Sequence, residues 1–61
     1  MTIYMDNWKN KEISKDVIHE NGGVITHGYQ CGKYFCLEYQ ATETAIRRID
    51  KTLRDMGLLT D

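Results

Sequence analysis

Between Asn21 and Tyr39 two glycine-rich turns punctuate runs of β-type residues, and a segment of helical periodicity follows directly, ending at Gly57. Asn21-Gly22 is the strongest short hairpin signal in the chain, because a tight type I′ turn needs positive φ at both central residues and Asn and Gly tolerate it. Lys11 to His19, with Ile13, Val17 and Ile18 among charges, reads as a strand before that turn. A second strand runs from about Gly23 to Tyr29 and a third from Lys33 to Tyr39, the latter rich in the aromatic residues that strands favour. The pattern predicts an α+β fold: a three-stranded antiparallel meander over residues 11–39, with one C-terminal helix over residues 41–57 packed on one face. Residues 1–10 combine Ile3, Tyr4, Met5 and Trp8 with Asp6, Asn7 and Asn10, and read as an N-terminal arm or a fourth strand.

The second turn sets which side chains are inside, since a slip of one residue exchanges the two faces of a strand. A two-residue loop at Cys31-Gly32 places Ile25 opposite Glu38. A three-residue loop, Gln30-Cys31-Gly32, pairs Ile25 with Leu37 and Tyr29 with Lys33, and puts Gly32 at the left-handed position of a bulged turn. The second choice gives the more apolar face. It assigns Ile18, Ile25, Tyr29, Phe35, Leu37 and Tyr39 to the core, turns His27 inward, and leaves Ile13, Val17, Val24, Tyr34 and Cys36 on the uncovered face beside Lys15, Thr26 and Glu38.

From Ala41 the period changes from two to 3.6. Ala45, Ile46, Ile49, Leu53 and Met56 form one stripe, and Glu43, Arg47, Arg48, Asp50, Lys51, Arg54 and Asp55 fill the remainder. Thr42 is placed to cap the first turn. Glu43 with Arg47 and Asp50 with Arg54 are i, i+4 pairs in the favourable orientation. Gly57 can end the helix in a Schellman motif that brings Leu58 against Leu53.

Sixty-one residues make one domain, and a chain of this size buries only about 60% of the surface its unfolded form exposes. Such domains usually need a disulfide, a metal or a second subunit. With 41% hydrophobic residues the chain is expected to be globular rather than disordered. Its formal net charge of −1 gives no general attraction to nucleic acid. No apolar run approaches a membrane span, and residues 1–8 lack the basic and apolar regions of a signal peptide. The expected location is the cytoplasm, where Cys31 and Cys36 stay reduced.

His19, His27, Cys31 and Cys36 are possible zinc ligands by type, but structural zinc usually takes close Cys pairs and this chain offers only C-x4-C. No metal or other cofactor is expected. Cys31 in a turn has no evident base or third orienting group, so no catalytic residue is assigned and no enzymatic activity is expected. Gly28 to Lys33 fails the phosphate-loop pattern in glycine spacing, and Tyr34 stands where a magnesium-binding hydroxyl is needed. The glycines are turn formers.

Two surfaces remain as candidates. On the helix, Arg47, Lys51 and Arg54 at i, i+4, i+7 with Arg48 alongside form a ridge able to meet an acidic protein surface or phosphates. The uncovered sheet face is the other, with Tyr34 as its leading contact and the arm carrying Tyr4 and Trp8 able to fold over it, since Tyr and Trp are enriched in binding hot spots. In size, near-neutral charge, lack of catalytic residues and sheet-plus-helix pattern the chain resembles the small phage- or mobile-element-encoded proteins that inhibit host machinery, anti-CRISPR proteins among them. The resemblance lies in these general features and transfers no individual residue. It implies a non-enzymatic protein-binding module that inhibits a host defence or regulatory complex by covering a surface, with a host protein as partner. The alternatives are a small nucleic-acid-binding or transcription-related protein using Arg47, Arg48, Lys51 and Arg54, and a structural homodimer whose uncovered sheet face is self-complementary.

Overall fold

The computed structural model describes residues 1–6 and 8–59, with the Trp8 side chain outside the description. The element order is β1 (Thr2–Met5), α1 (Trp8–Glu20), β2 (Val24–Cys31), β3 (Tyr34–Gln40) and α2 (Glu43–Asp55). The α+β class, the three-stranded antiparallel sheet and the C-terminal helix are as the sequence predicts. The meander is not, because β3 lies in the middle of the sheet, in the order β1-β3-β2. Both outer strands run antiparallel to β3 and therefore parallel to each other. A parallel return needs a long crossover, usually a helix, and α1 supplies it.

Residues 11–19 are thus helical, against the expectation of a strand. The stripe they turn inward is Ser14, Val17 and Ile18, all buried, at the i, i+3, i+4 spacing of a helix face. Ser14 interrupts the apolar pattern in sequence but not in space, because its hydroxyl donates to Met5 Sδ at 3.2 Å. Ile13 and Val17, expected together on the open sheet face, part company on this helix: Val17 joins the core and Ile13 is exposed.

Asn21-Gly22-Gly23 ends this helix instead of turning a hairpin. Gly22 has φ of 77°. Gly23 N donates to Ile18 O at 2.8 Å and Gly22 N to His19 O at 3.0 Å, the paired bonds of a Schellman motif. Asn21 Nδ2 adds a bond to Val17 O at 2.9 Å. A hairpin turn and a helix C-cap demand the same left-handed backbone, so Asn-Gly advertises both.

The β2–β3 turn also differs from the expected three-residue loop. Cys31 pairs with Tyr34 across a two-residue loop, Gly32-Lys33. Gly32 has φ of 63° and Lys33 no positive φ, the pattern of a type II′ turn, which takes Gly at its first central position. Gln30 then faces Phe35, Tyr29 faces Cys36, Gly28 faces Leu37 and His27 faces Glu38. A bulge at Thr26 shifts the register so that Ile25 faces Tyr39. The expected pairs Ile25–Leu37 and Tyr29–Lys33 do not form, and Tyr29 and His27 move from the core face to the other one.

The core unites Ile3 and Met5 of β1, Leu37 and Tyr39 of β3, Val17 and Ile18 of α1, and Ile49 and Leu53 of α2 with Leu58. Because its strand members alternate along one face, both helices lie on that side of the sheet, and no further element among the described residues covers the opposite face. α2 follows its sequence signals closely. Thr42 Oγ1 accepts from Ala45 N at 3.2 Å, and Leu58 N bonds to Leu53 O at 3.0 Å with both side chains buried. Ala45, Ile49 and Leu53 are buried, whereas Met56, expected in the stripe, is the C-cap and half exposed.

Candidate functional site: the helix-free face of the sheet

Alternation along the strands places one connected set of side chains on the uncovered face. The cross-strand register lines up Thr2, Glu38 and His27 in one row and Tyr4, Cys36 and Tyr29 in the next, with Tyr34 and Cys31 beyond it at the turn. Side chains directly opposite in an antiparallel pair are about 5 Å apart, so each row is a line of contact across the sheet.

The middle row is the distinctive one. Tyr4 and Tyr29 are 48% and 43% exposed while Cys36 between them is fully buried, although no helix covers it. Tyr4 and Tyr29 stand opposite it on the two neighbouring strands. Loss of solvent pushes the Cys36 pKa up, reinforced by the nearby Cys31, a hydrogen bond with the Cys31 side chain and the Glu38 carboxylate. Tyr29 is pushed up for related reasons, desolvation first and then Glu38, with Cys36, Tyr4 and Cys31 adding. Cys36 is therefore held as a thiol, the opposite of what a nucleophilic cysteine requires.

The rim of the face is polar. His27 Nδ1 lies 3.2 Å from Glu38 Oε2. Thr26 Oγ1, at the bulge, donates to Glu38 O at 3.1 Å. At the turn the Lys33 ammonium sits 5.2 Å from the centre of the Tyr34 ring, within reach of a cation–π contact. Among the described residues no group of three or more His, Cys, Asp or Glu side chains is arranged to hold a metal ion.

Of the residues singled out from sequence, Tyr34 lies on this face, half-buried. Trp8 opens α1, and its side chain falls outside the described residues. The basic ridge lies on α2, on the other side of the molecule, so the fold does not join the two candidate surfaces. Within the ridge, Arg47 Nη2 is 2.7 Å from Glu43 Oε1 and Arg54 Nε is 3.0 Å from Asp50 Oδ2. Arg48 and Lys51 are exposed and form no ion pair with the described residues.

Sequence reasoning brought Tyr4 to this face only as part of the arm, without naming it as a contact, and placed Tyr29 in the core; they are the two most exposed aromatics of the face among the described residues. Tyr4 becomes visible once Thr2–Met5 is taken as a strand, because Ile3 and Met5 alternate with it. Tyr29 depends wholly on the turn length. No helix among the described residues is long and apolar enough to cross a membrane. Comparison with protein families, with curated proteins and with solved structures finds nothing that matches this chain.

Proposed function

We propose that the chain is a non-enzymatic protein-binding module that docks a partner protein on the helix-free face of its sheet, as an inhibitor would cover a surface of a larger host complex. The observation that carries the reading is the row Tyr4–Cys36–Tyr29, a dry centre flanked by two half-exposed tyrosines and ringed by polar groups. Binding hot spots have that construction, with aromatic anchors near a water-excluding centre and a polar rim. The α2 ridge supports the nucleic-acid alternative less well, since two of its four cations are already matched by Glu43 and Asp50, and phosphate affinity depends on the number of cations offered.

Capture of binding proteins from a host lysate, followed by mass spectrometry, tests the proposal when run in parallel with variants. A partner held by the native chain is expected to be lost with Tyr29→Ala or Tyr34→Ala and retained with Arg47→Ala. Capture that ignores the tyrosines but vanishes with Arg47→Ala, or that returns only nucleic acid released by salt, overturns it.

A further inference from the structure

The outer edge of β2 is a row of backbone groups with no strand of the described residues beside it. Tyr39 exchanges both of its backbone hydrogen bonds with Met1, each at 2.9 Å, so the odd-numbered residues of β3 direct their amides toward β1. Backbone direction alternates along a strand, and the even-numbered residues of β3 therefore serve β2 through Tyr34, Cys36 and Glu38. Their partners Cys31, Tyr29 and His27 point inward, leaving the N–H and C=O groups of Gly28 and Gln30 pointing away from the sheet.

Proteins usually protect such edges with charges, proline, bulges or short strands. β2 spans eight residues, Val24–Cys31, without a proline, lysine, arginine or carboxylate, and all but Ile25 are exposed. Its one protective device, the bulge at Thr26, leaves the run from His27 to Cys31 regular. The other edge strand, β1, has only four residues.

We propose that β2 pairs antiparallel with β2 of a second copy of this chain, making a two-fold dimer with a continuous six-stranded sheet. Outward groups must meet outward groups, and the regular run allows this with Tyr29 on the two-fold axis. Gly28 then exchanges hydrogen bonds with Gln30 of the other copy, Tyr29 stacks beside its own equivalent, and His27 lies opposite Cys31. Charge favours the second copy as occupant. The paired run brings no carboxylate or ammonium opposite another, and Lys33, which follows it, falls beside uncharged Ile25 of the other copy, so two identical edges meet without like-charge repulsion. The inference concerns the backbone edge and does not rest on the partner-docking reading of the face.

Sedimentation equilibrium of the full chain from micromolar to millimolar concentration tests it. The expected result is a reversible monomer–dimer equilibrium that Gln30→Pro weakens by roughly tenfold or more, because two outward N–H donors are removed per dimer. An edge strand tolerates proline where its N–H faces solvent, so the far-UV circular dichroism of the variant monomer should be native. A second measurement does not depend on that tolerance. Residues opposite each other without shared hydrogen bonds have Cα atoms about 4.5 Å apart, inside the roughly 4.4–6.8 Å range of a disulfide. Tyr29→Cys, combined with Cys31→Ser and Cys36→Ala, is therefore expected to yield a covalent dimer as glutathione disulfide accepts the two electrons. A chain that stays monomeric at millimolar concentration, a dimer indifferent to Gln30→Pro, binding of a foreign extended peptide in place of self-association, or failure of the Tyr29→Cys variant to crosslink would each overturn the dimer.

Discussion

β1 is four residues long and puts Ile3 and Met5 into the core, whereas β2 is eight residues long and puts none of its side chains fully inside. Both are edge strands of one sheet, paired to the same central strand, yet they are held differently. Burying two side chains of that size stabilises by about 1.5–3 kcal/mol each, a large share of what so small a domain possesses. β2 depends on its ladder to β3, on half-buried Ile25, and on the tight passage from α1 at Gly23. Length of pairing and depth of anchoring are separate properties, and here they are inversely distributed.

The sharpest way to break this comparison is a matched pair of truncations. Ile3→Ala is expected to cost about 2–5 kcal/mol, enough to unfold the domain or nearly so, while Val24→Ala, at 62% exposure, should change stability by no more than about 0.5 kcal/mol. Urea titration followed by circular dichroism measures both, and similar losses would show that the edges are not held differently.

The root of β2 comes next. A Cβ added at Gly23 would lie 2.6 Å from Ile18 Cγ2 and 3.0 Å from the Ile18 carbonyl oxygen, too close without movement of the backbone, so Gly23→Ala should cost roughly 1–3 kcal/mol. At Gly28, mid-strand, the added atom would meet only Leu37 Cδ2, at 3.2 Å, and the loss should be smaller. Thermal melts of the two variants, read together, show whether β2 is fixed at its entry or along its length.

The smallest effect lies between the edges, at Cys36. Its folded pKa is raised above the ordinary thiol value of 9.0, so in alkali the unfolded chain releases this proton first. Stability from this group is complete below about pH 9 and is lost as pH rises through the folded pKa. Tyr39, raised above 10.0 by burial and then by Asp50, continues the loss at higher pH. Unfolding measured from pH 7 to 10 should show a decline in the native chain that begins later in Cys36→Ala.

The two helices explain how much of this was legible in the sequence. In α2 the inward positions are apolar and the outward ones charged, and Thr42 and Gly57 mark its ends, so class, boundaries and cap could be read directly. In α1 the inward stripe contains Ser14, and its terminal Asn21-Gly22 suits a hairpin equally well. Local patterns report a residue's conformation, and the long-range partner decided what that conformation served. The same ambiguity of one residue at Gly32 moved Tyr29 between faces and hid half of the candidate site, while Tyr34 was placed outward under the mistaken loop as well as the observed one.

The central position of β3 bears on how the chain assembles. The innermost strand is the last of the three along the sequence, so β1 waits for a partner some thirty residues downstream, and closing so long a loop costs entropy before any contact rewards it. The β2–β3 hairpin closes over two residues and has no such wait. Assembly is thus expected to run from the weakly anchored edge toward the deeply anchored one: the hairpin that β2 closes presents the free edge of β3, on which β1 then pairs.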